Sequence, residues 1–206
     1  MGLAGEYFLE PETALARQEA AIQACQLCKL GAGRTTVVFG SGNPRAELVV
    51  IGEGPGADED AQGKPFVGRA GQLLTKMLES VNLSRDEVYI TNTVKCRPPG
   101  NRNPEPDELA ACAPILNAQL TTLQPKVVLS LGSVATQALL GTREAIGKLR
   151  GRVHPYGSAV LVPTFHPAFL LRNPGPEYRR MAYDDLKMAR REYDRITGRG
   201  GRAAGG

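Results

Sequence analysis

Two hydrophobic rhythms alternate along the chain. Leu48-Val49-Val50-Ile51 is an unbroken apolar run, the pattern of a strand covered on both faces, and predicts a strand over 47–51. Runs of the same kind predict strands over 87–91, 126–131 and 159–164. Between them the spacing changes to that of helices. From Arg69 to Val81, Leu73, Leu74, Met77, Leu78 and Val81 fall on one face and predict an amphipathic helix. Further helices are predicted over 11–24, 104–123 and 177–196, with a short one from the Gly132-Ser133 turn to near Gly141. Pro11 suits a first helical turn, and Pro104, Glu105, Pro106, Asp107 and Glu108 open the next long helix with acids where the helix dipole favours them.

Strands alternating with helices imply an α/β protein, a three-layer α/β/α sandwich around a central four-stranded, mostly parallel sheet. With 206 residues the chain fits one compact domain, expected over 1–196, followed by a Gly/Arg-rich tail over 197–206 expected to be disordered. In such sheets ligands bind beyond the carboxyl ends of the strands. Three segments end up there: Glu53 to Gly56 after the first predicted strand, Asn92 after the second and His166 after the fourth.

Composition adds a compartment and a hint of a partner. No apolar run is long enough to cross a bilayer, and Met1 to Glu10 lacks the basic flank and apolar stretch of a signal peptide. The reading is a cytoplasmic protein with no membrane partner, whose thiols stay reduced. Net charge of +4 suits a polyanionic partner as well as an ordinary basic enzyme, and the arginines of the last helix and tail inflate it.

The chemistry-bearing residues are few. The four cysteines are Cys25, Cys28, Cys96 and Cys112, one Cys-x-x-Cys pair and two from a loop and a helix. Four thiolates hold zinc or an iron–sulfur cluster, and the irregular second pair leans toward a cluster. Against this, Cys112 on an apolar stripe also reads as a small core residue. Gly52-Glu53-Gly54-Pro55-Gly56-Ala57 matches a degenerate dinucleotide fingerprint, but Pro55 removes an amide donor and Asp58-Glu59-Asp60 follow where a pyrophosphate would sit. A loop pressing its backbone on a small flat ligand fits better. Phe66, between Gly63 and Gly68, has the flat face to stack on a base or to anchor its own loop. Asn92 offers an acceptor and two donors to a base edge, and otherwise caps a turn. His154, before the fourth predicted strand, is assigned a structural role.

Four ordered segments together resemble the family 4 uracil-DNA glycosylases, the iron–sulfur members of their superfamily. They are Gly52 to Asp60, Gly63-Lys64-Pro65-Phe66-Val67-Gly68, Thr91-Asn92-Thr93-Val94-Lys95-Cys96-Arg97-Pro98-Pro99-Gly100-Asn101-Arg102, and Phe165-His166-Pro167-Ala168. The resemblance spans roughly Cys25 to Asn173. It implies the uracil-DNA glycosylase fold and a monomeric base-excision-repair enzyme that flips deoxyuridine out of DNA and hydrolyses its N-glycosidic bond. It also implies a [4Fe–4S] cluster on Cys25, Cys28, Cys96 and Cys112. Carried over by position, Phe66 stacks on uracil, Asn92 reads the O4 and N3 edge, Glu53, Gly54 and Pro55 line the pocket, and His166 faces O2. The implied catalytic set is His166, Glu53 and Asn92.

Two departures stand out. Relatives outside this family often carry an aspartate where Gly54 stands, so water is left to the backbone or to Glu53. Family 1 relatives place a tyrosine against the base C5 where Gly56 stands, and Glu59 is the expected replacement that excludes thymine. For DNA, Leu170 and Leu171 offer an apolar wedge, and Arg172 and Ser133 offer phosphate contacts. The competing readings are a nicotinamide-type oxidoreductase using the glycine loop, and a damage-binding protein of the same fold that captures uracil without turnover.

Overall fold

The computed structural model describes residues 9–199. In chain order they form helix α1 (Pro11–Ile22), helix α2 (Leu30–Gly33), strand β1 (Ser41–Gly42), strand β2 (Leu48–Gly52), helix α3 (Ala57–Gln62) and helix α4 (Arg69–Glu79). Strand β3 (Tyr89–Asn92) follows, then a 3-10 turn at Pro99–Asn101, helix α5 (Pro106–Leu123), strand β4 (Val127–Leu131), helix α6 (Gly132–Leu140) and helix α7 (Ile146–Leu149). Strands β5 (His154–Tyr156) and β6 (Ala159–Thr164) lead to helices α8 (Pro167–Arg172) and α9 (Pro176–Thr197).

The sheet order is β1-β3-β2-β4-β6-β5. The four central strands are parallel and buried almost throughout, as their unbroken apolar runs require. The sheet is therefore six-stranded rather than four-stranded. The two additions are antiparallel edges: β1 pairs Ser41 with Ile90, and β5 pairs His154 with Leu161 across a tight turn at Gly157. Edges of two and three residues carry no period, so no sequence pattern marks them. His154 sits on this edge with Nε2 2.7 Å from the Leu149 carbonyl, a structural position as expected.

Helices α4, α8 and α9 cover one face of the sheet, and α1 and α5 cover the other. The result is the three-layer α/β/α sandwich. The order of strand addition reverses at β2: the next strand, β3, lies on one side and β4 on the other. That switch opens a crevice at the carboxyl ends of the strands. Into it run the loops after β2 and β3 and the segment between β6 and α8. The last helix ends at Thr197, the first residue of the segment expected to be tail, with Gly198 as its left-handed cap. The rest of that tail, 200–206, lies outside the described residues.

Candidate active site and cysteine pocket

The crevice holds a cleft of about 360 Å³, the size of a small-molecule site. Glu53, Gly54, Pro55, Glu59, Phe66, Asn92 and His166, all seven residues expected around a base, line it. Four separate chain segments supply them, and their meeting depends on glycines that leave room. A Cβ on Gly52 would lie 2.4 Å from Phe66 Cζ and 2.5 Å from Asn92 Oδ1. A Cβ on Gly132 would lie 2.9 Å from that of His166.

Phe66 adopts φ of 54°, a left-handed conformation that a bulky side chain enters only when its surroundings enforce it. Two features do so. Arg85 Nη1 donates to the Phe66 carbonyl at 3.1 Å and Nη2 to the Pro65 carbonyl at 2.9 Å. Gly71 in α4 lies so close that a Cβ there would be 1.9 Å from the Phe66 oxygen. The Phe66 ring is buried and its centroid stands 5.8 Å from that of His166, with 34° between the planes.

His166 caps α8, and its Nδ1 accepts the Ala168 N–H at 3.1 Å. Nδ1 therefore carries the lone pair, and the proton of the neutral ring sits on Nε2. Burial, reinforced by the Arg172 charge, lowers the imidazole from 6.5 to about 4, so the ring is neutral at physiological pH. Asn92 ends β3 at 1% exposure, and its Oδ1 is buried with no hydrogen-bond partner. Such an orphaned acceptor is costly unless a ligand satisfies it.

The Glu59 carboxylate is committed to the loops: Oε1 accepts from Val67 N at 2.8 Å and Gly68 N at 2.9 Å, and Oε2 from Gly56 N at 3.1 Å. It also occupies the space beside residue 56, where a Cβ would fall 2.9 Å from Oε2. A side chain at 54 would meet Val94 Cγ2 at 2.8 Å, which accounts for glycine there. The Glu53 carboxyl is raised above its ordinary range by desolvation, opposed by the Arg172 charge. Its own carbonyl is held by Val94 N at 3.2 Å and Thr93 Oγ1 at 2.5 Å.

The residues expected to face DNA divide. Arg172 lines the cleft and Leu171 is exposed. Leu170, in contrast, is 2% exposed and packs in the core of the α4–α9 face, so it is not available as a wedge. Helical geometry in α8 turns one leucine of the pair inward and its neighbour outward. Ser133 lies half-buried in the first turn of α6 and outside the cleft lining. The sequence reading missed a second wall, formed by Pro98, Asn101, Arg102 and Asn103. Asn101 takes φ of 56° there and accepts from Arg97 Nε at 2.7 Å, while Arg102 grips the buried Glu108 carboxylate at 2.7 and 2.8 Å. The run of proline, glycine and asparagine marked a loop, but nothing in it marked a wall of the site.

Cys25, Cys28, Cys96 and Cys112 are all free thiols and line one common pocket beside the cleft. Two N–H groups point at the sulfurs: Lys95 N lies 3.4 Å from Cys112 Sγ and Arg34 Nη1 lies 3.6 Å from Cys96 Sγ. Burial pushes Cys96 up to about 11 and raises Cys112 as well. Among the described residues, no three histidine, cysteine or acidic side chains are placed to hold a single metal ion.

A mostly parallel sheet with a cleft at its switch point, walled by an aromatic, an amide and a neutral imidazole, defines an α/β protein with a small-molecule-sized site. The family model of the uracil DNA glycosylase superfamily matches residues 39–187. The chain is 45% identical over 171 residues to a type-4 uracil-DNA glycosylase of Thermotoga maritima, covering 82% of this chain and 89% of that protein. It is 45% identical over 178 residues to the type-4 uracil-DNA glycosylase of Saccharolobus solfataricus, covering 82% of each. A type-5 enzyme of Thermus thermophilus is 32% identical over 207 residues. The chain belongs to the uracil-DNA glycosylase superfamily, on its type-4 branch.

Proposed function

We propose that the protein flips deoxyuridine out of DNA and hydrolyses its N-glycosidic bond, releasing uracil and leaving an abasic site. The carrying observation is the buried, unpaired Asn92 Oδ1 in a cleft that also presents Phe66 and His166. Uracil supplies what that oxygen lacks, an N3–H donor, while the Asn92 amide NH₂ donates to O4. Cytosine has no N3–H and turns an amino group toward the amide, so it leaves the acceptor unsatisfied. Phe66 stacks on the extruded base.

As the bond from C1′ to N1 lengthens, its electron pair stays on the base and positive charge develops on the sugar. The Nε2–H of His166 donates to O2, where much of the new negative charge collects. A donor fixed before the reaction needs no reorganisation, and such donors are worth on the order of 100- to 1000-fold in rate. Water then bonds to C1′, and the proton it loses neutralises the departing uracil anion. Glu53, at the cleft with Arg172 beside it, positions that water. Glu59 excludes thymine by filling the space beside Gly56 and by holding the loop rigid.

Arg172 meets phosphate and Leu171 enters the gap left by the base. Ser133, at the start of α6, remains a candidate for a more distant phosphate. Cys25, Cys28, Cys96 and Cys112 would hold a [4Fe–4S] cluster; their shared pocket and the N–H groups aimed at sulfur support it. When bound, the cluster would tie the segment between α1 and α2 to the loop after β3 and to α5. The protein acts as a monomer, in the cytoplasm, through one domain. Among the described residues no helix is long and apolar enough to cross a membrane.

The test is incubation with a single-uracil duplex oligonucleotide, alkali treatment and a denaturing gel. Repeated turnover at the uracil is the expected result. Binding without cleavage by protein with full iron content would replace the glycosylase with a damage-binding protein.

A further inference from the structure

Lys95 is the largest feature of the interior that this chemistry leaves unused. It is 1% exposed, and among the described residues no carboxylate pairs with it. Burying an amine without a counter-charge is costly, so its hydrogen-bond partners are what hold it there. Nζ donates to Thr91 Oγ1 at 2.6 Å, to the Asn92 carbonyl at 2.8 Å and to Gln119 Oε1 at 2.5 Å. The Thr91 hydroxyl already donates to the Phe39 carbonyl at 2.7 Å, and Gln119 Nε2 donates to the same oxygen at 3.0 Å. All three groups facing Nζ therefore accept from it, and the side-chain terminus is held at one point by three hydrogen bonds.

The main chain of the same residue faces the other way. Lys95 N donates to Cys112 Sγ, the Lys95 carbonyl accepts from Val38 N at 2.8 Å, and Cys96 is the next residue. The four residues from Asn92 to Lys95 thus fold back so that one side chain grips the Asn92 peptide while its backbone touches the cysteine pocket. On the near side, Thr93 N donates to the Gly52 carbonyl at 2.9 Å and β2 pairs Gly52 with Asn92. The peptide that carries the base-reading amide is consequently fixed on one flank by the sheet and on the other by Lys95.

We infer that Lys95 is a positioning residue: its Nζ holds the Asn92 carbonyl so that the Asn92 amide meets the uracil edge in register, and it ties that register to the cysteine pocket. The inference rests on the assignment of Asn92 to base reading. It separates Lys95 from an ordinary core residue, because removing it misplaces one functional group and does not merely loosen the fold.

The test is a double-mutant cycle between Lys95→Met and Asn92→Ala, measured by single-turnover excision of uracil from a duplex, with iron content and melting temperature recorded for each protein. Lys95→Met is expected to slow the maximal rate about ten- to a hundred-fold with KM changed less than about three-fold and iron retained. In the Asn92→Ala background the same change is expected to cost less than about three-fold, because the group it positions is already gone. Equal cost in both backgrounds would make Lys95 merely structural and overturn the inference, as would an unchanged rate in Lys95→Met. If Asn92→Ala keeps full activity, the base-reading assignment itself fails and carries the inference with it. If Lys95→Met does not fold, Thr91→Val removes one acceptor without changing volume. A loss of about three-fold or more in maximal rate at unchanged iron content is then expected, and no loss overturns the inference.

Discussion

The Ala168 N–H points at His166 Nδ1 from 3.1 Å, two residues along the turn that opens α8. That single contact decides which nitrogen faces the cleft with a proton. It also fixes a pH dependence. The folded-state value of His166 is lowered to about 4 by burial and by Arg172, against 6.5 for an ordinary histidine. The folded protein therefore binds fewer protons than the unfolded chain between those values, and stability rises with pH across that window. The penalty sets in as pH falls through 6.5 and is complete below about 4. Imidazole proton NMR is expected to show no titration of His166 between pH 5 and 8, with His154→Gln assigning the signal. An inflection near 6.5 would exclude a preorganised neutral donor.

Gly52 should be intolerant of any side chain. Substitution by alanine drives a methyl group into the Phe66 ring edge and the Asn92 oxygen, both about 2.5 Å from the new atom. Backbone conformation is not the obstacle here; close approach is. Gly52→Ala is expected to lower the excision rate on the order of a hundred-fold, with the fold preserved by circular dichroism. Retention of more than a tenth of the activity would show that the two groups adjust freely.

Arg85 lies behind the Phe66 loop and outside the cleft lining, yet it fixes the strained residue through two carbonyls. Left-handed backbone at a bulky residue costs on the order of 1–3 kcal/mol and relaxes when its restraints go. Arg85→Met is expected to raise KM for uracil-containing DNA and slow excision about ten-fold. Lysine at the same position, which cannot reach both oxygens in one geometry, should restore little. Unaltered kinetics in Arg85→Met would assign the restraint to Gly71 alone.

What sequence revealed of this site, and what it concealed, follows from the range of each interaction. Asn92 and His166 were legible because strand ends in a parallel sheet must point at the crevice, and long apolar runs locate strand ends well. Even so, β3 starts and ends later than its apolar run suggests, which makes Asn92 the last strand residue rather than the first after it. Helix α3 was hidden in an acidic stretch that carries no apolar period, since Asp60 is turned inward to accept from Thr35 N at 2.8 Å. Gly71 and Arg85 were illegible for a different reason. Their importance depends on a backbone conformation at Phe66 that no local pattern announces. The Lys95 network was equally hidden, because lysine is read as a surface residue unless its acceptors, 24 residues away in the case of Gln119, are known.

The cysteine pocket should behave as one unit. Cys96 and Cys112 are buried with Leu30 and Val94, so without the proposed cluster they would leave an apolar pocket lined by thiols. Cys112→Ser is expected to abolish iron binding, measured by metal analysis and visible absorbance, and to lower the melting temperature by several degrees. Part of that loss would come from leaving the Lys95 N–H with a poorer acceptor. Full iron content in Cys112→Ser would remove Cys112 from the ligand set.

The two leucines of α8 separate stability from DNA engagement. Leu170 is 2% exposed and Leu171 36%, although they are adjacent. Leu170→Ala would open a cavity in the core of the α4–α9 face and is expected to cost about 2–5 kcal/mol of stability, read by thermal or urea unfolding. Leu171→Ala should leave unfolding unchanged within about 0.5 kcal/mol. Its effect should appear only with duplex substrate, as slower excision at sub-saturating enzyme, while uracil in single-stranded DNA, which needs no gap filled, is cleaved at nearly the parent rate. Equal losses on the two substrates would place Leu171 outside base extrusion and leave Arg172 as the contact that α8 offers to DNA.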